Sequence, residues 1–201
     1  MSSLRLIVGL GNPGDRYAET RHNAGFWFLD RLAAQAGERL RPQSRLQAEV
    51  ARTRLHGCDC ILAKPTTFMN HSGLAVRAVM DYYGVGAADL LVAYDELDLP
   101  PGVARLKQGG GHGGHNGMRD IFRHVSDHDF LRLRIGIGHP GHKDAVTGYV
   151  LGRAPAAQER LIRESIGEAC DVMPAVMAGD LAAAMKRLHT SPVSDSTSSE
   201  N

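Results

Sequence analysis

Apolar residues gather in short runs at Leu4–Leu10, Cys60–Ala63, Leu90–Tyr94 and Leu131–Ile137, each bounded by Gly, Pro or Asp. Runs of this length between turn-forming residues read as buried strands. The stretch Leu46–Leu55 is looser, with Leu46, Ala48, Val50 and Ala51 preceding Leu55, and suits a strand nearer a sheet edge; Val103–Lys107 is a further short strand. Helical spacing takes over in His22–Ala36, Ser72–Tyr83, Asn116–His124 and Ala156–Leu188, the last broken in two by Gly179-Asp180. Strand–helix alternation with some direct strand–strand connections predicts an α/β fold. The expected architecture is one domain over residues 1–190 with a mixed, mostly parallel, twisted sheet flanked by helices. Residues 191–201, with five serines, a threonine and a proline, are expected to form a flexible tail.

Composition narrows the classes. With 201 residues and 43% apolar content the chain can bury one substantial core. No run reaches the roughly 18 apolar residues of a membrane span. The start, Met1-Ser2-Ser3-Leu4-Arg5, enters strand pattern directly and lacks the apolar core of a signal peptide. Three cysteines, two of them alternating at Cys58 and Cys60, read as reduced small hydrophobes of a cytoplasmic protein. The net charge of +1 excludes a strongly basic coat. Charge is nonetheless uneven: residues 101–153 hold eight Lys/Arg against four Asp/Glu, and residues 154–201 hold four against seven. A local cationic face is compatible with that balance.

The segment Gly9-Leu10-Gly11-Asn12-Pro13-Gly14 follows the first strand and imitates the dinucleotide-binding pattern G-x-G-x-x-G. The imitation fails. Pro13 lacks the N–H that a pyrophosphate cradle needs, the helix begins only near Thr20, and the acidic residue at the right distance, Asp30, lies within a helical pattern. What the segment does bring to the end of a strand is the amide of Asn12 and, shortly after, the imidazole of His22.

Four loops carry unusual polar residues at predicted strand ends: Asn12 to His22, Lys64 to Gly73, Tyr94 to Pro101, and Gly109 to Gly117. Neighbouring strands would bring all four to one rim. A histidine at a helix start is ordinarily structural, but Asp95 directly follows a buried strand, and a carboxylate on one ring nitrogen leaves the other as a general base. Glu96 and Asp98 are better read as turn residues. Loop asparagines ordinarily serve turns. Asn12, Asn70 and Asn116 around one imidazole also suit a carbonyl, a water or a developing oxyanion. Six glycines in the nine positions 109–117 make either a flexible loop or a wall against an extended substrate; the Lys-Ser/Thr ending of a P-loop is missing. A metal site built from His22, His112, His115 and Asp95 lacks any rigid ligand spacing. Ser72 lacks a nucleophile elbow. Among the scattered basic residues, Lys107 and Arg134 lie in strands that can be neighbours and together could clamp a phosphate, while Tyr17 and Phe68 offer apolar surface.

These motifs, together with Thr20-Arg21-His22-Asn23-Ala24-Gly25, Lys64-Pro65-Thr66-Thr67-Phe68-Met69-Asn70, Asp95 to Gly102 and Arg132 to Gly138, resemble the bacterial peptidyl-tRNA hydrolase family in order from residue 4 to about residue 189. The resemblance implies a monomeric, cytoplasmic α/β enzyme that cleaves the ester joining a peptide to the 3′ ribose of tRNA, with no metal or other cofactor. It implies His22 as base, Asp95 as its partner, and Asn12 and Asn70 in the catalytic set. It further implies Tyr17, Phe68, Met69, Asn70, His115 and Asn116 along the substrate, and Lys107 and Arg134 on the phosphate at the tRNA 5′ end. Three rivals stand beside it: a metal-dependent hydrolase using His22, His112 and His115, a non-catalytic RNA-binding module of the same fold, and dinucleotide binding.

Overall fold

A computed structural model of the chain describes residues 4–190; the expected tail at 191–201 lies outside the described residues. Seven strands, β1 (Leu6–Gly9), β2 (Arg41–Gln43), β3 (Ala48–Leu55), β4 (Cys58–Pro65), β5 (Leu90–Glu96), β6 (Ala104–Gln108) and β7 (Leu131–Gly136), form one sheet in the order β2-β3-β4-β1-β5-β7-β6. The helices are α1 (Ala24–Gln35), α2 (Ser72–Tyr83), α3 (Asn116–His124), α4 (Val146–Val150), α5 (Ala156–Met177) and α6 (Leu181–Thr190).

The sheet is mixed, as expected, but parallel pairing is confined to its centre. The pairs β4–β1, β1–β5 and β5–β7 are parallel, while β2–β3, β3–β4 and β6–β7 are antiparallel. The central strands are covered on both faces, which explains their near-continuous apolar runs. Ile7, Leu91, Ala93, Leu133 and Ile135 point into the core shared with α1 and α5. Leu6, Val8, Leu90, Val92 and Tyr94 point into the core under α2 and α3. The loose strand β3 lies second from the edge, in keeping with its pattern. The edge beside it is β2, a three-residue strand with no apolar alternation, where Pro42 can sit because an edge strand tolerates a missing N–H. The break expected at Gly179-Asp180 does separate α5 from α6. Cys58, Cys60 and Cys170 are free thiols, and burial pushes Cys60 up to about 12 and Cys170 up to about 11.

The glycines of the first motif serve close packing. A Cβ on Gly9 would lie 2.3 Å from the carbonyl oxygen of Gly25, and one on Gly25 would lie 2.4 Å from that of Ala93. Helix α1 therefore starts with its backbone pressed on β1 and β5, which puts the preceding turn at the C-terminal rim of the sheet. Among the described residues no helix is long and apolar enough to cross a membrane.

One expectation about the rim fails. The loops after β1, β4 and β5 leave the same end of the sheet because those strands are parallel. Strand β6 runs the other way, and Gln108 pairs with Leu131 at the start of β7. Gly109–Gly114 thus begins at the opposite end and returns across the α3 face to reach the rim at His115. Six residue steps reach at most about 20 Å, and the positive φ of Gly109, Gly110, Gly113 and Gly114 bends the path within that length.

Candidate active site

Asp95, the penultimate residue of β5, is fully buried and accepts from two imidazoles. His22 Nδ1 lies 2.8 Å from its Oδ2 and His115 Nε2 lies 2.7 Å from its Oδ1. His22 comes from a 3-10 turn, Arg21–Asn23, directly before α1, and His115 is the N-cap of α3. His115 Nδ1 accepts from the backbone N–H of Met118 at 3.3 Å. A backbone N–H can only donate, so His115 carries its proton on Nε2 and gives it to Asp95. Both its nitrogens are engaged, leaving only a ring face to the cleft; its expected part in holding substrate is joined by this second contact to the carboxylate. His22 has one nitrogen on Asp95 and, among the described residues, no partner for Nε2.

Protonation follows from this geometry. Burial would lower the His22 pKa, but the charge of Asp95 and its hydrogen bond outweigh burial, and the pKa is raised above 6.5. Burial would raise Asp95, yet the two imidazoles hold its carboxyl below the ordinary carboxylate range. Asp95 stays ionised.

Asn12 is fixed from two sides. Asn23 accepts its backbone N–H and donates to its carbonyl, each at 2.9 Å. Asn12 Oδ1 accepts the backbone N–H of Met69 at 2.8 Å. The atom facing that donor must be the oxygen, so the amide offers the cleft its Nδ2 donor. Asn23, which sequence reasoning passed over, is thus the part that orients Asn12; its only sequence signal is its place beside His22.

A cleft of about 680 Å³ collects Asn12, Tyr17, His22, Phe68, Met69, Asn70, Asp95, His115 and Asn116. Asn70 is exposed, and Asn116, also exposed, accepts from Arg119 at 3.3 Å. Tyr17 meets Phe68 edge-on, and Phe68 is 55% exposed. The far wall was not foreseen: Leu97, Val146, Val150 and Leu151 line it, the last three in or next to α4. Five residues give too little periodicity for that helix to show in the sequence. Arg21 holds it, stacking its guanidinium 3.8 Å from the Tyr149 ring centre and donating to the Tyr149 carbonyl at 3.0 Å.

Lys107 and Arg134 lie outside this cleft. They project from the same face of β6 and β7 as diagonal neighbours, since Lys107 pairs with Arg132 and Arg105 with Arg134. Arg134 is held by Glu96 at 2.7 Å, so Glu96 is more than a turn residue. Lys107 is exposed. Ser72 is buried and spends its hydroxyl on the Met69 carbonyl. His112 accepts from Gly114 and is not among the three groups, His22, Asp95 and His115, whose donor atoms lie within 4.8 Å of one another. Each imidazole there faces its own carboxylate oxygen at hydrogen-bond distance, an arrangement suited to holding protons.

Known proteins resemble the chain over most of its length. The family model described as peptidyl-tRNA hydrolase matches residues 6–196, running past residue 189 into the serine-rich segment. Peptidyl-tRNA hydrolase of Stenotrophomonas maltophilia (strain K279a) is 54% identical over 190 residues, 94% of this chain and 99% of that protein. The enzyme of the same name from Shewanella sp. (strain MR-4) is 51% identical over 191 residues, covering 94% and 98%. The crystal structure of peptidyl-tRNA hydrolase from Acinetobacter baumannii superposes with a TM-score of 0.92 at 46% identity, covering 94% of this chain and 96% of that one. With the fold, the order of the motifs and the matched length in agreement, the chain belongs to the peptidyl-tRNA hydrolase family.

Proposed function

We propose that this enzyme hydrolyses the ester between a peptide and the 3′ ribose of tRNA by a water activated on His22, with neither a covalent intermediate nor a metal. The observation that carries this reading is the His22 Nδ1–Asp95 contact, which leaves Nε2 as the base. Nε2 takes a proton from water, and the water oxygen attacks the peptide's terminal carbonyl carbon. Asn12 Nδ2 donates to the oxyanion that develops. Asp95 keeps the imidazole in the required tautomer and stabilises the imidazolium. Collapse breaks the bond to the ribose 3′ oxygen, which takes the proton back from Nε2. An ester leaves readily, so a base, an oxyanion donor and positioning suffice.

Phe68, Tyr17 and the α4 wall give the peptide apolar surface, and Asn70 and Asn116 give its backbone amide partners. Lys107 and Arg134 take a tRNA phosphate, Arg134 while still paired with Glu96. Contacts to peptide backbone and phosphate carry no sequence information, which fits a substrate of varied sequence. We assign the whole activity to residues 1–190, acting as a monomer in the cytoplasm.

The test is release from N-acetylated against free aminoacyl-tRNA with chelator present. Selective cleavage of the N-blocked substrate is expected, and His22→Ala should lower kcat by about 10²–10⁴ with KM little changed. Turnover of the variant within about threefold of the parent removes His22 as base, and loss of parent activity with chelator restores the metal rival.

A further inference from the structure

Among the described residues Arg132 is the largest fully buried side chain, 1% exposed, and is the second residue of β7. Its neighbours Leu131 and Leu133 face the α1 and α5 core, so Arg132 occupies an interior position on the α3 face. No carboxylate pairs with it among the described residues. Its guanidinium donates from Nη1 to the Gly111 carbonyl and from Nη2 to the Gly110 carbonyl. It lies 5.2 Å from the ring centre of Phe122 and 5.1 Å from that of Phe130. Its Nε has no hydrogen-bond partner among the described residues. Burial pushes the hydroxyl of neighbouring Tyr94 above its ordinary value and keeps it neutral, so Tyr94 supplies no counter-charge.

Burying a cation without an anion is costly, and apolar side chains of similar volume are often better tolerated at such places. Stability therefore does not account for an arginine here. Its two oriented donors meet the glycine segment early in its return across the sheet, two and three residues after the end of β6. Gly110 and Gly111 are otherwise exposed, and four residues later the same segment delivers His115 to Asp95. The Tyr94 ring, on the strand next to β7, meets that of His115 edge-on at 5.0 Å.

We propose that Arg132 is a positioning residue for the reaction, fastening the glycine segment to the sheet so that His115 reaches Asp95. This rests on the reading of His22 and Asp95 given above, with His115 as the second donor that holds the Asp95 carboxylate. A planar fork suits two successive carbonyls as a point charge does not, so lysine should serve in part and an apolar residue not at all.

The experiment compares Arg132→Met, Arg132→Lys, His115→Ala and the double variant Arg132→Met/His115→Ala on N-acetyl-aminoacyl-tRNA. Thermal unfolding and amide exchange at Gly113, Gly114 and His115 are followed in parallel. Arg132→Met should unfold at or above the parent's temperature, lose about tenfold or more in kcat with KM within about threefold, and exchange those amides faster. Arg132→Lys should fall between parent and Arg132→Met, and the double variant should lose no more than its worse single variant. Wild-type turnover by Arg132→Met while His115→Ala is impaired overturns the pin and leaves the site reading standing. Full activity of His115→Ala overturns the role of His115 and the inference with it. Additive losses in the double variant, or rates that fall only as both Arg132 variants lose stability, make Arg132 structural and overturn the proposal.

Discussion

Asp95 accepts one imidazole on each oxygen, and the shifts of His22 and Asp95 follow from that. The His22 pKa is raised, so its contribution to stability is complete below 6.5 and is lost as pH rises through the folded value. The Asp95 pKa is lowered, so its contribution is complete above 3.8 and is lost as pH falls through the folded value. The two shifts share the His22–Asp95 contact, to which His115 adds on the Asp95 side. The gap in unfolding free energy between parent and Asp95→Asn should therefore be widest between about pH 4 and pH 6.5 and narrow on either side. In catalysis the same substitution should lower kcat by about 10² and move the acid limb of the pH–rate profile to lower pH, because the base loses its anion. An unchanged limb removes Asp95 from the mechanism. At this scale the pairing of His22 with Asp95 was legible, because a carboxylate at the end of a buried strand demands a partner. The second imidazole was not. Nothing in Gly114-His115-Asn116 says which way the ring turns until the N-cap bond to Met118 fixes it.

Elements carry the geometry through close contacts. Gly25 touches both β1 and β5 through backbone atoms, so Gly25→Ala has no side chain that can yield. Urea unfolding should show a loss of about 1–3 kcal/mol or more, together with lowered turnover as the His22 turn is pushed from the rim. An unchanged midpoint would mean that α1 can shift freely. The strands and long helices were legible because apolar runs and helical spacing are local properties. Helix α4 and strand β2 were not, being too short to show a period. Both are held by contacts from elsewhere: Arg21 on Tyr149, and β3 alongside β2.

For the whole molecule, the excess of Lys/Arg in residues 101–153 falls where β6, β7 and α3 lie together. Lys107 is exposed on that face without an acidic partner among the described residues, whereas Arg134 is tied to Glu96. Lys107→Ala should raise KM for tRNA substrates at low salt and make the salt dependence of binding shallower by roughly one unit of log–log slope. The effect should vanish for a substrate lacking the 5′ phosphate. Equal KM values at low salt would rule out the phosphate contact.

The sequence by itself determined which residues could do the chemistry, which of the longer segments would be strands or helices, and that the first glycine motif is no phosphate cradle. Each of these depends on side-chain type and short-range spacing. Only the tertiary structure decided that β6 turns back, sending the glycines across the sheet face, and that a buried cation meets them there. Strand direction and the path of a returning loop are set by which strand pairs with which, and pairing is a contact between residues far apart along the chain.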